Sequence, residues 1–139
     1  MNTRTITITV EINAPVSKVW ELYTQVKHIK NWNYASEDWH TPRAENDLRV
    51  NGKFSSRMEA KDGSFGFDFG GTYTQIDENK LIAYTLGDDR KVQITFTEGQ
   101  FGTIVTIIFE AEQTNSLDLQ KSGWLAILNN FKKYVESNY

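Results

Sequence analysis

The chain has 139 residues, a formal net charge of −3 and no cysteine, with 39% hydrophobic and 24% charged residues. That length suits a single domain, residues 1–139, around one core; the missing cysteines exclude disulfides, thiolate metal sites and a cysteine nucleophile. Lys and Arg are dispersed, so no basic footprint for nucleic acid stands out, and no apolar run nears the ~20 residues that span a membrane. The opening Met-Asn-Thr-Arg lacks the apolar core of a secretory signal. The expectation is a cytoplasmic protein that engages neither nucleic acid nor membrane.

In chain order, residues 3–12 alternate, with Thr5, Thr7 and Thr9 on one side and Ile6, Ile8, Val10 and Ile12 on the other, which predicts a half-buried strand. Asn13-Ala14-Pro15 ends it, because proline fixes its own φ and favours the first turn of a helix. Val16, Val19, Trp20 and Tyr23 then recur at helical spacing over 15–24, and a second short helix is expected over 26–31 with Ile29 inward. Residues 32–42 hold Trp32, Tyr34 and Trp39 without a sustained period and read as a loop folding over a cavity mouth; 43–50 read as irregular.

Strands resume at 53–60. Lys61-Asp62-Gly63-Ser64 supplies a hairpin turn, and Phe65, Phe67, Phe69, Gly71 and Tyr73 share one face of the next strand. Gly70-Gly71 suggests a bulge or bend. Three more strands follow: 80–86 with Ile82, Tyr84 and Leu86 inward, 91–97 with Val92, Ile94 and Phe96 inward, and 102–111 with Val105, Ile107 and Phe109 inward. Residues 115–139 form the long helix, its stripe made by Leu117, Trp124, Leu128, Phe131 and Val135 and widened by Ile127 and Tyr134. Asn115, with Asp118 in the first turn, is the expected cap, and Lys132 and Lys133 suit the negative end of the dipole.

Strand, two short helices, about five hairpin-linked strands and a long helix describe an α+β fold, a curved antiparallel sheet wrapped around the C-terminal helix. A sheet that bends this strongly is too concave for one helix to fill, so a cavity is expected between them. Aromatics make up 13% of the chain, and large rings line pockets as well as cores. The candidate ligand-binding residues are Trp32, Tyr34, Asp38, Trp39, His40, Met58, Phe67, Phe69, Tyr73, Tyr84, Phe96, Trp124 and Leu128. Gly123, beside Trp124, is either a close packing point or a thinned helix wall beside a ligand.

Asp38 and His40 lie two apart, so in an extended segment they share a side and can orient a general base, or simply form a surface ion pair. Ser36 is too close in sequence for a nucleophilic triad, and no catalytic residue is assigned. Arg57 alternates away from Met58 toward solvent in a regular strand, whereas a bulge would turn it inward as an anion anchor. The histidines, His28 and His40, show no metal-ligand spacing, and no phosphate-cradling glycine loop appears, so neither metal nor cofactor is expected.

Several strings, taken in order, carry a resemblance: Val19-Trp20-Glu21-Leu22 after Ala14-Pro15, Ser36-Glu37-Asp38-Trp39-His40, Gly52-Lys53-Phe54, Arg57-Met58, Gly63-Ser64, Phe67-Asp68-Phe69-Gly70-Gly71-Thr72-Tyr73, and Gln120-Lys121-Ser122-Gly123-Trp124 leading to Leu128-Asn129-Asn130-Phe131. Across essentially the whole chain the sequence resembles the single-domain bacterial relatives of the Hsp90 ATPase activator, within the START and Bet v 1-like superfamily. The resemblance implies the helix-grip fold and a ligand-holding cavity between grip helix and sheet, and it brings no shared catalytic residue. Three functional readings stay open. The first is non-catalytic binding of a small hydrophobic molecule, aromatic or lipid-like. The second is a cyclase or hydrolase using Asp38 and His40, and the third is a stress-response module in contact with a chaperone. An edge strand offers a route to a homodimer.

Overall fold

The computed structural model describes residues 4–138. The elements are β1 (Thr5–Ile12), α1 (Val16–Thr24), α2 (Val26–Trp32), β2 (Trp39–Asn46), β3 (Lys53–Ala60), β4 (Gly66–Asp77), β5 (Leu81–Leu86), β6 (Lys91–Glu98), β7 (Thr103–Glu110) and α3 (Leu117–Asn138). All pairings are antiparallel, and the seven strands run β1-β7-β6-β5-β4-β3-β2 in one curved half-barrel sheet. The short helices carry the chain from one edge of this sheet, β1, to the other, β2. Position 3, the expected start of the first strand, and position 139, the expected end of the long helix, lie outside the described residues.

The alternations that predict β1, β5, β6 and β7 hold: Ile6, Ile8, Ile12, Ile82, Tyr84, Leu86, Val92, Ile94, Phe96, Val105, Ile107 and Phe109 are all buried. Phe131 and Val135 of α3 close over them, each fully buried. Tight turns need a left-handed residue, supplied by Gly63 in the β3–β4 turn, Asn79 in the β4–β5 turn and Asp89 in the β5–β6 turn.

Several expectations need correction. Residues 39–46 form an edge strand, so six strands rather than five follow the short helices. The alternation is hidden because the β2–β3 register shifts between His40 and Arg43, around Pro42, which an edge strand tolerates where a central one would lose a ladder bond. Trp32 accordingly ends α2 as a buried core residue instead of opening a loop. Gly70 and Gly71 sit in regular pairing with Ser55 and Phe54, and the register shift of β4 lies between Tyr73 and Gln75. The glycines answer close backbone approach: a Cβ at Gly70 would stand 2.4 Å from the Phe54 carbonyl oxygen and one at Gly71 2.5 Å from that of Thr85. At the start of α3, Ser116 rather than Asn115 is the cap, its Oγ accepting from the Leu119 N–H at 3.1 Å. Leu117 is therefore exposed, and the helix runs on to Asn138, leaving Lys132 and Lys133 short of its last turn.

Candidate functional site

The two halves of α3 meet different surroundings. Its C-terminal half lies against β1 and the short helices, where Phe131 packs edge-on against Tyr23 and Trp32. Its N-terminal half reaches out over the curl of the sheet with no second helix beneath it. There Trp124 stacks on Phe109 of β7, centroids 4.1 Å apart, and meets Phe69 of β4 edge-on at 5.8 Å. Under this span lies a cavity of about 330 Å³, within the usual size range of small-molecule sites.

Trp124, Ile127 and Leu128 roof the cavity. Phe54, Met58, Phe67, Phe69, Tyr73, Ile82, Tyr84 and Ile107 line it from the sheet, and Tyr23, Ile29 and Trp32 close the end beneath the short helices. The rings of Phe54, Tyr73 and Tyr84 contact one another, fixing the floor. The indole N–H of Trp32 donates to the Leu22 carbonyl at 2.9 Å and Asn130 Nδ2 donates to the Trp32 carbonyl at 2.7 Å, so that end wall is held from both helices.

Polar groups enter in two sets. In the first, Tyr73 Oη donates to Asn46 Oδ1, Asn46 Nδ2 donates to the Thr24 carbonyl at 2.7 Å, and the Thr24 hydroxyl donates to the Trp20 carbonyl at 2.8 Å. This chain ties β4 through the edge strand to α1. In the second, buried Gln120 accepts from the Glu112 N–H at 2.8 Å and donates to the Asn115 carbonyl at 2.8 Å, fastening the segment between β7 and α3. Arg90 also faces the cavity, with its Nε on Asp88 at 2.7 Å. Burial raises the phenol pKa values of Tyr23, Tyr73 and Tyr84 well above the ordinary 10, so all three hydroxyls stay protonated.

Of the residues singled out from the sequence, Trp32, Met58, Phe67, Phe69, Tyr73, Tyr84, Trp124 and Leu128 line the cavity together. Phe96 does not: it is fully in the core against Trp20 and Tyr23. Tyr34, Asp38, Trp39 and His40 lie outside the lining. Trp39 packs on Phe65 and Phe67 at the outer rim, both of them exposed. Asp38 accepts from the Ser36 hydroxyl and His40 Nε2 faces Glu59 at 3.9 Å, so the Asp–His pairing expected for acid–base work is not formed. Arg57 points away from Met58, as alternation requires, and donates to Glu59 at 2.8 Å, which holds that carboxyl below its usual range.

A Cβ on Gly123 would meet nothing within 4 Å, which removes close packing as the reason for the glycine. Sequence reasoning missed Asn46, hidden in the unrecognised strand, and Gln120. The latter carried a signal, since it stands four residues before Trp124 and eight before Leu128, a polar side chain on the apolar stripe. Among the described residues no cluster of three or more His, Asp or Glu is placed to hold a metal, and no helix is long and apolar enough to cross a membrane.

A half-barrel sheet gripping a long C-terminal helix, with two short helices after the first strand, defines the helix-grip class of START and Bet v 1-like proteins. Within that class, the family model described as "Activator of Hsp90 ATPase homolog 1-like protein" matches residues 13–136, and the chain belongs to this family. Its structure is similar to that of an AHSA1-like protein from Aeromonas hydrophila, with 39% identity over 97% of this chain and 94% of that one and a TM-score of 0.92. It is also similar to a protein from Cytophaga hutchinsonii, 48% identical over 99% of this chain and 94% of the other, with a TM-score of 0.80. A protein from Chromobacterium violaceum, 23% identical with a TM-score of 0.85 over 96% and 98% of the two chains, shares the fold. No curated protein matches the chain.

Proposed function

We propose that the chain acts as a single helix-grip domain that holds a small, largely apolar molecule, without chemistry on it, in the cavity beneath the N-terminal half of α3. The observation that carries this reading is the cavity itself: about 330 Å³ bounded mainly by aromatic and aliphatic side chains, with polar groups such as Asn46, Ser56, Arg90 and Gln120 among them. Filling such a space removes apolar surface from water at roughly 25 cal/mol per Å². Collapse of the walls is opposed by the stacked Trp124 and Phe109 rings and by the Tyr73–Asn46–Thr24 chain. The family supports the same reading, since the helix-grip class is compatible with ligand holding.

Native mass spectrometry of gently purified protein tests it, by comparing the intact mass under native and denaturing conditions. The expected result is a discrete adduct lost on denaturation and strongly depleted in Trp124→Ala. An adduct retained equally by a folded Trp124→Ala variant places the bound molecule elsewhere and refutes the assignment.

A second reading, contact with an Hsp90-type chaperone, is favoured by the family description and by the exposed rings of Phe65 and Phe67 beside Trp39. Binding of purified chaperone that is lost in Phe65→Ser supports it. Absence of binding at micromolar concentrations counts against it.

A further inference from the structure

Among the described residues, three hydroxyls on the cavity wall have no hydrogen-bonded partner, those of Tyr23, Tyr84 and Ser56. Of its three tyrosines, Tyr73 donates to Asn46, whereas among the described residues neither Tyr23 nor Tyr84 has a hydrogen-bonded partner. Among the described residues no fully buried side-chain oxygen or nitrogen lacks a partner, so the two free phenol hydroxyls must touch open volume. Tyr84 is 6% exposed on an inward-facing position of β5, and Tyr23 is wedged between Trp32, Phe96 and Phe131, so that volume is the cavity. Burial raises both phenol pKa values, with Tyr23 a smaller cause at Tyr84. Being protonated, each offers a donor, and a desolvated donor left unmade is costly.

The charged residues on the lining are Glu45, Arg90 and Glu112, and the Arg90 Nε is committed to Asp88. An anion entering the cavity would face two carboxylates against a single guanidinium, whose Nε is held by Asp88. A cation would bring no acceptor for the phenol protons. We infer that Tyr23 and Tyr84 donate hydrogen bonds to an oxygen of the bound molecule, and that this molecule is uncharged, apolar over most of its surface and bears a carbonyl or ether oxygen at one end. The inference rests on the cavity-binding reading above and narrows its ligand class.

Three probes of one ring system separate the terms: acetylnaphthalene carries the acceptor, isopropylnaphthalene replaces it with a hydrocarbon of similar shape, and naphthoate replaces it with a charge. Calorimetric titration of the wild type should show the ketone binding about fivefold more tightly than the hydrocarbon, the net worth of roughly one neutral hydrogen bond. Naphthoate should bind most weakly. In the double variant Tyr23→Phe, Tyr84→Phe the ketone preference should fall to parity while hydrocarbon affinity holds. Each single variant should lose part of the preference, which decides the matter should the double variant fail to fold. A preference that survives in the variants, or naphthoate binding tightest, overturns the inference. Equal wild-type affinity for ketone and hydrocarbon overturns it alone, whereas no binding of any probe overturns the cavity reading with it.

Discussion

The two halves of α3 make a controlled comparison within one element. Around Phe131 and Val135 the helix is sandwiched between the sheet and the short helices, and both side chains are fully buried. Around Trp124 the helix has the same apolar stripe and the same sheet below, yet a cavity remains. The difference is the missing third layer: α1 and α2 fill the concavity at one end with Trp20, Tyr23 and Trp32, and nothing equivalent fills the other. Apolar pattern alone therefore does not separate core from cavity; the number of elements converging on the stripe does.

Breaking the comparison is most direct at its two anchors. Phe131→Ala removes a fully enclosed ring and should cost about 3–5 kcal/mol in denaturant unfolding, enough to threaten folding of a domain this size. Trp124→Ala should cost clearly less, about 1–3 kcal/mol, because the ring is only partly buried and already borders empty volume. Equal losses at the two sites would mean that the cavity end is packed core after all. At the junction of the halves, Asn46→Ala strands the Tyr73 hydroxyl and should destabilise by about 1–3 kcal/mol. A neutral result there would show that the chain from β4 to α1 is not holding the cavity open.

Two smaller effects sharpen the contrast. Gly123→Ala has open space for its methyl group, so it should stabilise the fold by up to about 1 kcal/mol through helix propensity, where a glycine required by packing would give the opposite sign. At the packed end, His28 Nδ1 lies 2.6 Å from the Tyr134 hydroxyl, and burial, with Lys27 nearby, lowers its pKa below the ordinary 6.5. Because the unfolded chain then binds the proton more readily, stability should fall as pH drops below about 6.5 and level off beneath the lowered value. Replacing His28 with Asn should flatten that part of the pH–stability profile, and an unchanged slope would assign it to other groups.

Much of this arrangement was legible in the sequence. Period-two alternation located β1 and β5 to β7 because their inner faces are fully covered, and helical spacing located α3 because Trp124, Leu128, Phe131 and Val135 all turn inward. The edge strand was not legible, since Pro42 and the register shift break its period and, among the described residues, only β3 pairs with it. Phe96 faces inward as alternation requires but meets rings instead of the cavity: alternation gives the face of a strand, while what that face meets depends on Trp20 and Tyr23, which arrive from a separate helix. Asp38 and His40 are close in sequence, but β2 begins between them, and Asp38 accepts from Ser36 while His40 faces Glu59.

The central claim is that the volume beneath the N-terminal half of α3 is a binding site, and the location of a bound probe tests it most directly. In methyl-labelled protein, isopropylnaphthalene should show intermolecular nuclear Overhauser effects to Met58, Ile82, Ile107 and Leu128, which line the cavity from sheet and helix. Effects confined to exposed Val50, Leu117 and Leu119, or none at saturating probe, would contradict the account.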